Sequence, residues 1–182
     1  MLAAAGFTSE RPLELSYKTS SDPFRVRLAT VIQAQLEQVG VRVRVQSYDW
    51  GTFFGDVKAG RFQLYGLTWV GIRTPDIFRY AFHSASVPPD GANRGRYRDP
   101  EADRLIEAAR AEPDLARQAV LYRALQALLH KHLPYIPLWY EDQVFAARHR
   151  LVGYRLAPDG NYDGLDDVEL RSRPNARLAA WQ

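Results

Sequence analysis

The chain has 182 residues, of which 46% are hydrophobic and 25% are charged, a balance that predicts one globular domain or one large lobe and argues against disorder. The formal net charge is +3, and the basic residues are scattered along the sequence. Without a basic stripe, this charge does not indicate a nucleic-acid-binding protein. The chain has no cysteine, which excludes disulfides and thiolate chemistry, and its apolar runs fall short of the roughly 20 residues that span a bilayer.

The first part of the sequence alternates between the periods of strands and helices. Leu13 to Tyr17 alternates apolar and polar side chains, as a strand does. Asp22 and Pro23 then predict the start of a helix that ends at Gly40. Val41 to Val45 alternates again, so these elements predict a right-handed βαβ unit with parallel strands. The apolar stripe of the predicted helix consists of Phe24, Leu28, Ile32, Leu36 and Val39.

The same pattern continues through a second helix and a third strand. Asp49 is placed to cap a short helix that carries Trp50 and ends before Gly60. The apolar run Phe62 to Trp69 follows and predicts a third strand. The helix contains further apolar side chains at Phe53, Phe54 and Val57. Three parallel strands are therefore expected. The Trp50 side chain is expected either on the surface of the helix, available to a ligand, or in the core of the domain.

The end of the third predicted strand is a candidate ligand-binding edge. Trp69 closes the apolar run, Gly71 releases the chain into a loop, and Pro75 with Asp76 predicts a new helix. Open α/β sheets bind ligands at the carboxyl ends of their strands. Because the segment contains no nucleophile with a base beside it, we interpret it as a recognition surface.

The second part of the sequence predicts a long loop and two helices. Residues 86–98 are rich in Pro, Gly, Asn and Arg, which is typical of a functional loop. Asp99 and Pro100 start a helix, and a second one from about Pro113 to His132 completes an antiparallel hairpin. Two further strands are predicted at Tyr135–Tyr140 and Val144–Ala147. The expected fold class is α/β, with a mostly parallel sheet, flanking helices and a helical hairpin.

No metal site or cofactor site is predicted. The segment Asp159 to Gly164 begins like a calcium loop, but the twelfth position is Leu170 where that loop requires Glu. His130 and His132 are two residues apart on a predicted helix, a spacing at which side chains do not converge on one ion.

A series of short motifs occurs in a fixed order along the chain. The motifs are Leu2–Phe7, Val39–Val41, Asp49–Trp50, Gly60–Phe62, Trp69–Gly71, Pro75–Asp76, Asn93–Arg94, Tyr97 and Ile136–Leu138. Together they resemble the C-terminal lobe of one protein family, the family 5 extracellular solute-binding proteins of dipeptide and oligopeptide ABC importers. The resemblance runs from about Leu2 to Leu170.

The resemblance implies a lobe of the type II periplasmic-binding-protein fold, a small-molecule ligand and an ABC permease as partner. Residues 1–170 are expected to form the lobe and residues 171–182 a tail, with the N-terminal lobe missing. A periplasmic location is implied by the family alone, because the first residues do not form a signal peptide. No enzymatic activity is implied.

Candidate ligand-binding residues follow from the resemblance position by position. Trp50 and Trp69 match aromatic positions that line the cleft of oligopeptide binders, and Asn93 lies near a ligand-contacting position. The neighbouring Arg94 suits a carboxylate or a phosphate, although this loop is equally interpretable as held by its own hydrogen bonds. Ile72 stands where peptide binders carry the aspartate that pairs with the peptide amine.

The sequence departs from the family pattern at two further positions, and two alternative functions remain open. The arginines of oligopeptide binders align with Val57 and Gly66, so ordinary peptides are in doubt as ligands while solute capture is not. One alternative is a hydrolase that uses Asp142 or Asp76. The other is an arginine-rich nucleic-acid-binding domain.

Overall fold

The computed structural model describes residues 2–172 and divides the chain into two compact units. The first unit contains the chain up to Thr68 together with Pro75–Pro134. The second contains Trp69–Thr74 and the described chain from Tyr135 onward. The predicted tail lies almost entirely outside the described residues.

A three-stranded parallel sheet is the centre of the first unit. Its strands are β1 (Leu13–Ser20), β2 (Val41–Tyr48) and β3 (Leu64–Tyr65), in the order β2-β1-β3. The parallel pairing confirms the prediction, because short βαβ crossovers force consecutive strands to run in the same direction. Helix α1 (Pro23–Glu37) packs on this sheet and buries Ala29 among strand side chains.

The predicted third strand, Phe62–Trp69, is wrong in its extent. Before β3, the side chain of Gln63 accepts hydrogen bonds from the backbone N–H and the hydroxyl of Ser16, at 2.7 and 2.9 Å. After β3, Gly66 lies against the hydroxyl of Tyr17. The Gln63 side chain therefore replaces the backbone hydrogen bonds of the sheet before β3. At the other end of the predicted strand, Trp69 belongs to the second unit.

The predicted end of the first helix is also wrong. Helix α1 stops at Glu37, and Gly40 follows it with φ of 84°, in the left-handed region that favours glycine. Phe24 and Val39, predicted on its apolar stripe, are exposed; Phe24 lies in the first turn of the helix and Val39 lies beyond its end.

Helix α2 (Trp50–Ala59) agrees with its prediction at both ends. The Asp49 carboxylate accepts the backbone N–H of Thr52 at 3.1 Å, and Gly60 ends the helix with φ of 74°. Phe53 and Val57 are fully buried, so they are the apolar face that fixes the helix to the domain.

Three more helices complete the first unit: α3 (Asp76–Phe82), α4 (Pro100–Ala111) and α5 (Leu115–His132). Asp99 and Asp114 cap α4 and α5. The Nδ1 atom of His132, at the end of α5, is 3.2 Å from a carboxylate oxygen of Asp99, which confirms the antiparallel hairpin. Leu115, the first residue of α5, is exposed. The hairpin core consists of Ala102, Leu105, Ile106, Ala109, Tyr122, Leu125 and Leu129.

The second unit contains little regular structure. The strands predicted at Tyr135–Tyr140 and Val144–Ala147 do not form. Pro137 removes an amide donor that a strand ladder would need, and a run of apolar residues does not by itself supply a pairing partner. The observed pair is β4 (Leu151–Val152) with β5 (Glu169–Leu170), which are antiparallel.

Among residues 2–172, no helix has both the length and the apolar character that a bilayer crossing requires.

Candidate functional site

Trp50 lies where the sheet of the first unit would be expected to meet a ligand. It is the first residue of α2 and follows the carboxyl end of β2 by two positions. Its side chain is 54% exposed, whereas Phe53 on the same helix is buried. The indole ring stacks on Phe54 with 5.3 Å between ring centroids and 8° between ring planes. Trp50 therefore presents an aromatic face to solvent while Phe54 supports it from below.

Phe54 also carries two cations. The Lys58 Nζ atom lies 5.2 Å from the centroid of the Phe54 ring, and the Arg94 guanidinium carbon lies 5.3 Å from the same centroid. Both distances fall within the range of a cation–π interaction. The structure thus joins two predicted residues, Trp50 and Arg94, through the Phe54 ring, which the sequence indicates only as an apolar residue of the helix.

Phe54 and Lys58 were missed as candidate site residues. With Trp50 they occupy positions 50, 54 and 58, the spacing that places side chains on one face of a helix. That spacing was a usable signal. It was hidden because Phe53 and Val57, which are core residues, interleave with the exposed row.

Asn93 is 1% exposed, and its side chain is bonded within its own loop. Its amide nitrogen donates to the backbone oxygens of His83 and Tyr97, at 3.1 and 2.7 Å. Its amide oxygen accepts the backbone N–H of Tyr97 at 2.9 Å. For Asn93 and Arg94, the alternative to ligand contact was a loop stabilised by its own hydrogen bonds. The bonds of Asn93 are of that kind. They fix the backbone from which Arg94 extends.

Trp69 and Ile72 belong to the second unit. Trp69 is half-buried and Ile72 is exposed. The backbone N–H of Gly71, between them, donates to the backbone oxygen of Asp159 at 3.4 Å. An apolar side chain at position 72 offers no charge to a ligand amine.

Arg73 connects this segment to the loop that begins at Asp159. Its guanidinium bonds the carboxylates of Asp159, at 3.1 Å, and Asp163. The side-chain amide of Asn161 also donates to Asp159, and these contacts, led by the Asn161 bond, lower the pKa of the Asp159 carboxyl. Two oxygen ligands of the calcium-like loop are thus occupied by an arginine. Residues 2–172 contain no group of three acidic or histidine side chains able to hold a metal ion.

The resemblance sets Val57 and Gly66 against arginines of oligopeptide binders, and both positions are tightly packed here. Val57 is fully buried in the core of the first unit. A Cβ atom on Gly66 would lie 2.5 Å from the hydroxyl oxygen of Tyr17, closer than real contacts allow. The absence of these charges is therefore built into the packing around α2 and β3.

The carboxylates of the hydrolase alternative show no catalytic arrangement. Asp76 is exposed at the start of α3, with a carboxylate oxygen 3.8 Å from the Nε of Arg110. Asp142 is exposed in the second unit. An exposed carboxylate has none of the desolvation that prepares a general acid or base.

A shallow groove also exists at the opposite edge of the sheet, near the amino end of β2. Parallel sheets bind ligands at the carboxyl edge, so we assign this groove no role. It is lined by Ser9, Pro12, Glu37, Gly40, Val41, Arg42 and Val43.

Comparison with known proteins gives a consistent result. Residues 1–88 match the model of the bacterial extracellular solute-binding proteins, family 5 middle region. The chain is 31% identical to di/tripeptide-binding protein 2 of Pseudomonas aeruginosa over 87% of its own length and 30% of that protein. It is 28% identical to the dipeptide-binding protein of Escherichia coli, over 78% of this chain and 26% of that protein.

The fold agrees with these relatives. The periplasmic binding protein DppA of Helicobacter pylori, solved with the peptide STSA, superposes with a TM-score of 0.79 at 25% identity, over 94% of this chain and 33% of that one. The α/β lobe is therefore of the type II periplasmic-binding-protein kind, as expected. The chain spans about 30% of the length of its first curated relative, and by sequence and fold it is similar to the family 5 bacterial extracellular solute-binding proteins.

Proposed function

We propose that this chain supplies one lobe of the ligand cleft in a periplasmic receptor that captures a short peptide or a similar solute for an ABC importer. The observation that carries the proposal is the exposed Trp50 ring, stacked on Phe54 beside Arg94 at the carboxyl edge of a parallel sheet. The names of the relatives support peptide-like ligands, since they are called dipeptide-binding and di/tripeptide-binding proteins.

The proposed mechanism is closure of two lobes over the ligand. A solute that bridges both lobes stabilises the closed state by its differential affinity for that state. The partners are then an N-terminal lobe, contributed by further polypeptide, and a permease in the inner membrane that receives the closed form. The 182-residue chain alone holds half of the contacts and is expected to bind the solute weakly.

Each candidate residue has a defined part in this proposal. Trp50 and Trp69 provide aromatic contact area, and the guanidinium of Arg94 pairs with an anionic group of the solute. Asn93 acts through Arg94 by fixing the loop backbone. Ile72 provides apolar contact in place of an amine-pairing carboxylate, so a free amino terminus contributes less here than an apolar or acidic group does.

The proposal is tested with the natural polypeptide that carries this chain, purified at its full length from the periplasm. Isothermal titration with a mixture of di- and tripeptides, followed by single compounds, is expected to show saturable binding. A double substitution of Trp50 and Trp69 to Ala should lower affinity at least tenfold while leaving the thermal unfolding temperature within a few degrees.

A matched control is Leu115→Ala, which removes a similarly exposed apolar side chain from α5. It should leave affinity unchanged. Unaltered binding in the double tryptophan variant would contradict the site assignment. If no di- or tripeptide binds in the titration, the receptor function itself is contradicted.

A further inference from the structure

The segment Trp69–Thr74 carries two candidate ligand-binding residues but forms neither a helix nor a strand. Gly71, in its middle, has a φ of 72°, in the left-handed region that favours glycine. Val70 is 70% exposed and Ile72 is also exposed, so these two side chains bury little apolar surface. Regular backbone hydrogen bonds and the burial of Val70 and Ile72 therefore do not explain the conformation of the segment.

Polar contacts connect the segment to residues 159–164 of the same unit. The backbone N–H of Gly71 donates to the backbone oxygen of Asp159 at 3.4 Å. The Arg73 guanidinium donates to two carboxylates: its Nε atom lies 3.1 Å from Oδ2 of Asp159, and its Nη2 atom bonds Asp163. These ion pairs join positions that are 86 and 90 residues apart along the chain. Arg73 therefore ties the segment to a distant part of the sequence.

The two carboxylates that receive Arg73 are held by the turn that carries them. The backbone N–H and the side-chain amide of Asn161 both donate to Oδ1 of Asp159. The amide oxygen of Asn161 accepts the backbone N–H of Asp163 at 2.8 Å. A Cβ atom on Gly164 would collide with the backbone oxygen of Arg155, so the turn lies tightly against its neighbour. The acceptors are thus fixed in place by contacts other than the guanidinium.

The exposure of these ion pairs indicates where their effect should be measured. The side chains of Arg73 and Asp163 are 54% and 70% exposed, and that of Asp159 is 16% exposed. Exposed ion pairs contribute little to the free energy of global unfolding. The planar guanidinium, however, pairs in a defined geometry, and here it is engaged at two acceptors at once. Its expected effect is on the local conformation of the segment.

We propose that Arg73 is a positioning residue for solute capture, whose two ion pairs hold Trp69 and Ile72 in the conformation that contacts the solute. This inference rests on the proposed function, in which both side chains belong to the ligand cleft. Without the guanidinium the segment samples more conformations, and the solute must order it on binding. That ordering lowers the affinity even though Arg73 does not itself touch the solute.

The test measures the affinity of the full-length receptor for alanyl-phenylalanine by isothermal titration. Arg73→Ala is expected to lower the affinity about three- to tenfold, the cost of ordering one or two side chains on binding. Arg73→Lys keeps the charge without the planar fork and should lose less. In a background in which Trp69 and Ile72 are both replaced by alanine, Arg73→Ala should change the affinity less than about twofold, because the contacts that it positions are gone.

Hydrogen exchange followed by mass spectrometry gives a second readout that needs no ligand. The amides of residues 69–74 should exchange faster in Arg73→Ala than in the unmodified receptor, because local opening is no longer opposed by the ion pairs. The matched control is Arg155→Ala, which removes an exposed arginine paired with Asp167 in the same unit. This control should leave both the exchange of residues 69–74 and the affinity unchanged.

The outcomes separate this inference from the proposed function. An equal loss of affinity from Arg73→Ala in both backgrounds would show direct contact with the solute, and no loss in either would show no role. Each of these results overturns the inference and leaves the proposed function intact. Unchanged affinity after replacement of Trp69 and Ile72 would overturn the inference together with the place of those residues in the cleft. If neither alanyl-phenylalanine nor a mixed pool of di- and tripeptides binds the unmodified receptor, both proposals are overturned.

Discussion

The indole ring of Trp50 lies parallel to the phenyl ring of Phe54, with 5.3 Å between their centroids and 8° between their planes. The stack is made on one helix, four residues apart, so it is present before any ligand arrives. A preformed aromatic surface loses little conformational entropy when a solute binds. A substitution at Trp50 should accordingly lower ligand affinity with little change in the free energy of unfolding.

Replacement of Trp50 by alanine is expected to lower ligand affinity about three- to tenfold, since an aromatic contact contributes about 0.5–1.5 kcal/mol beyond its buried area. The free energy of unfolding should change by less than about 1 kcal/mol, because the side chain is largely solvent-exposed. Titration calorimetry and urea unfolding of the same preparations measure the two quantities. Trp50→Phe should retain most of the affinity; a large loss of stability in either variant would instead assign Trp50 to the core.

Asn93 should show the opposite behaviour. Asn93→Ala leaves the backbone N–H of Tyr97 and two carbonyl oxygens without their partner in a buried loop. Each unsatisfied buried group costs about 1–3 kcal/mol, so a loss of several kcal/mol in the free energy of unfolding is expected. Urea unfolding measures it, and Asn93→Asp, which places a buried carboxylate oxygen against the carbonyl oxygens of His83 and Tyr97, should lose at least as much. A change in ligand affinity at unaltered stability would show that Asn93 contacts the ligand directly.

The elements that the sequence predicted well are those fixed by local signals. Asp49 and Gly60 define both ends of α2, and Asp99 with Pro100 starts α4 where expected. Parallel pairing followed from the short crossover between β1 and β2. Capping and connection length depend on neighbouring residues, so a single sequence is sufficient to predict them.

The incorrect predictions depend on contacts between distant residues. Gln63 shortens β3 by bonding to Ser16, and the apolar segment 135–140 pairs with no strand within residues 2–172. The prediction of the candidate site also missed a contact between distant residues. Trp50 was identified by resemblance and Arg94 by its chemistry in a long loop, whereas the contact of Phe54 with Arg94 joins residues 40 positions apart, which no local pattern indicates.

Acid should weaken the first unit through Asp56. Hydrogen bonds from Lys18 and Arg61, in that order of importance, lower the pKa of the Asp56 carboxyl below its ordinary value of 3.8. Because the folded-state pKa is the lower one, the unfolded state binds the proton first. The contribution to stability is therefore complete well above pH 3.8 and is lost as the pH falls below that value.

Urea unfolding of the unmodified protein and of Asp56→Asn between pH 7 and pH 2.5 tests this expectation. The variant should be less stable at pH 7, and the difference should shrink below pH 3.8. Asp90→Asn, an exposed change on the loop after α3, serves as the matched control and should stay close to the unmodified protein throughout. A difference between Asp56→Asn and the unmodified protein that is constant with pH would refute the role of the carboxylate charge.

Gly66 and Tyr17 form a steric pair whose energies should be strongly non-additive. A Cβ on Gly66 would lie 2.5 Å from the Tyr17 hydroxyl oxygen, but 3.6 Å from the ring carbon that bears it. Gly66→Ala should therefore destabilise the protein by about 1–3 kcal/mol through overpacking. In a Tyr17→Phe background the oxygen is gone and the remaining contact is an ordinary one, so the same substitution should cost little.

A double-mutant cycle measured by urea unfolding gives the coupling directly, and a value of about 1–2 kcal/mol is expected for residues in contact. Additive energies would mean that position 66 tolerates a side chain beside the Tyr17 hydroxyl.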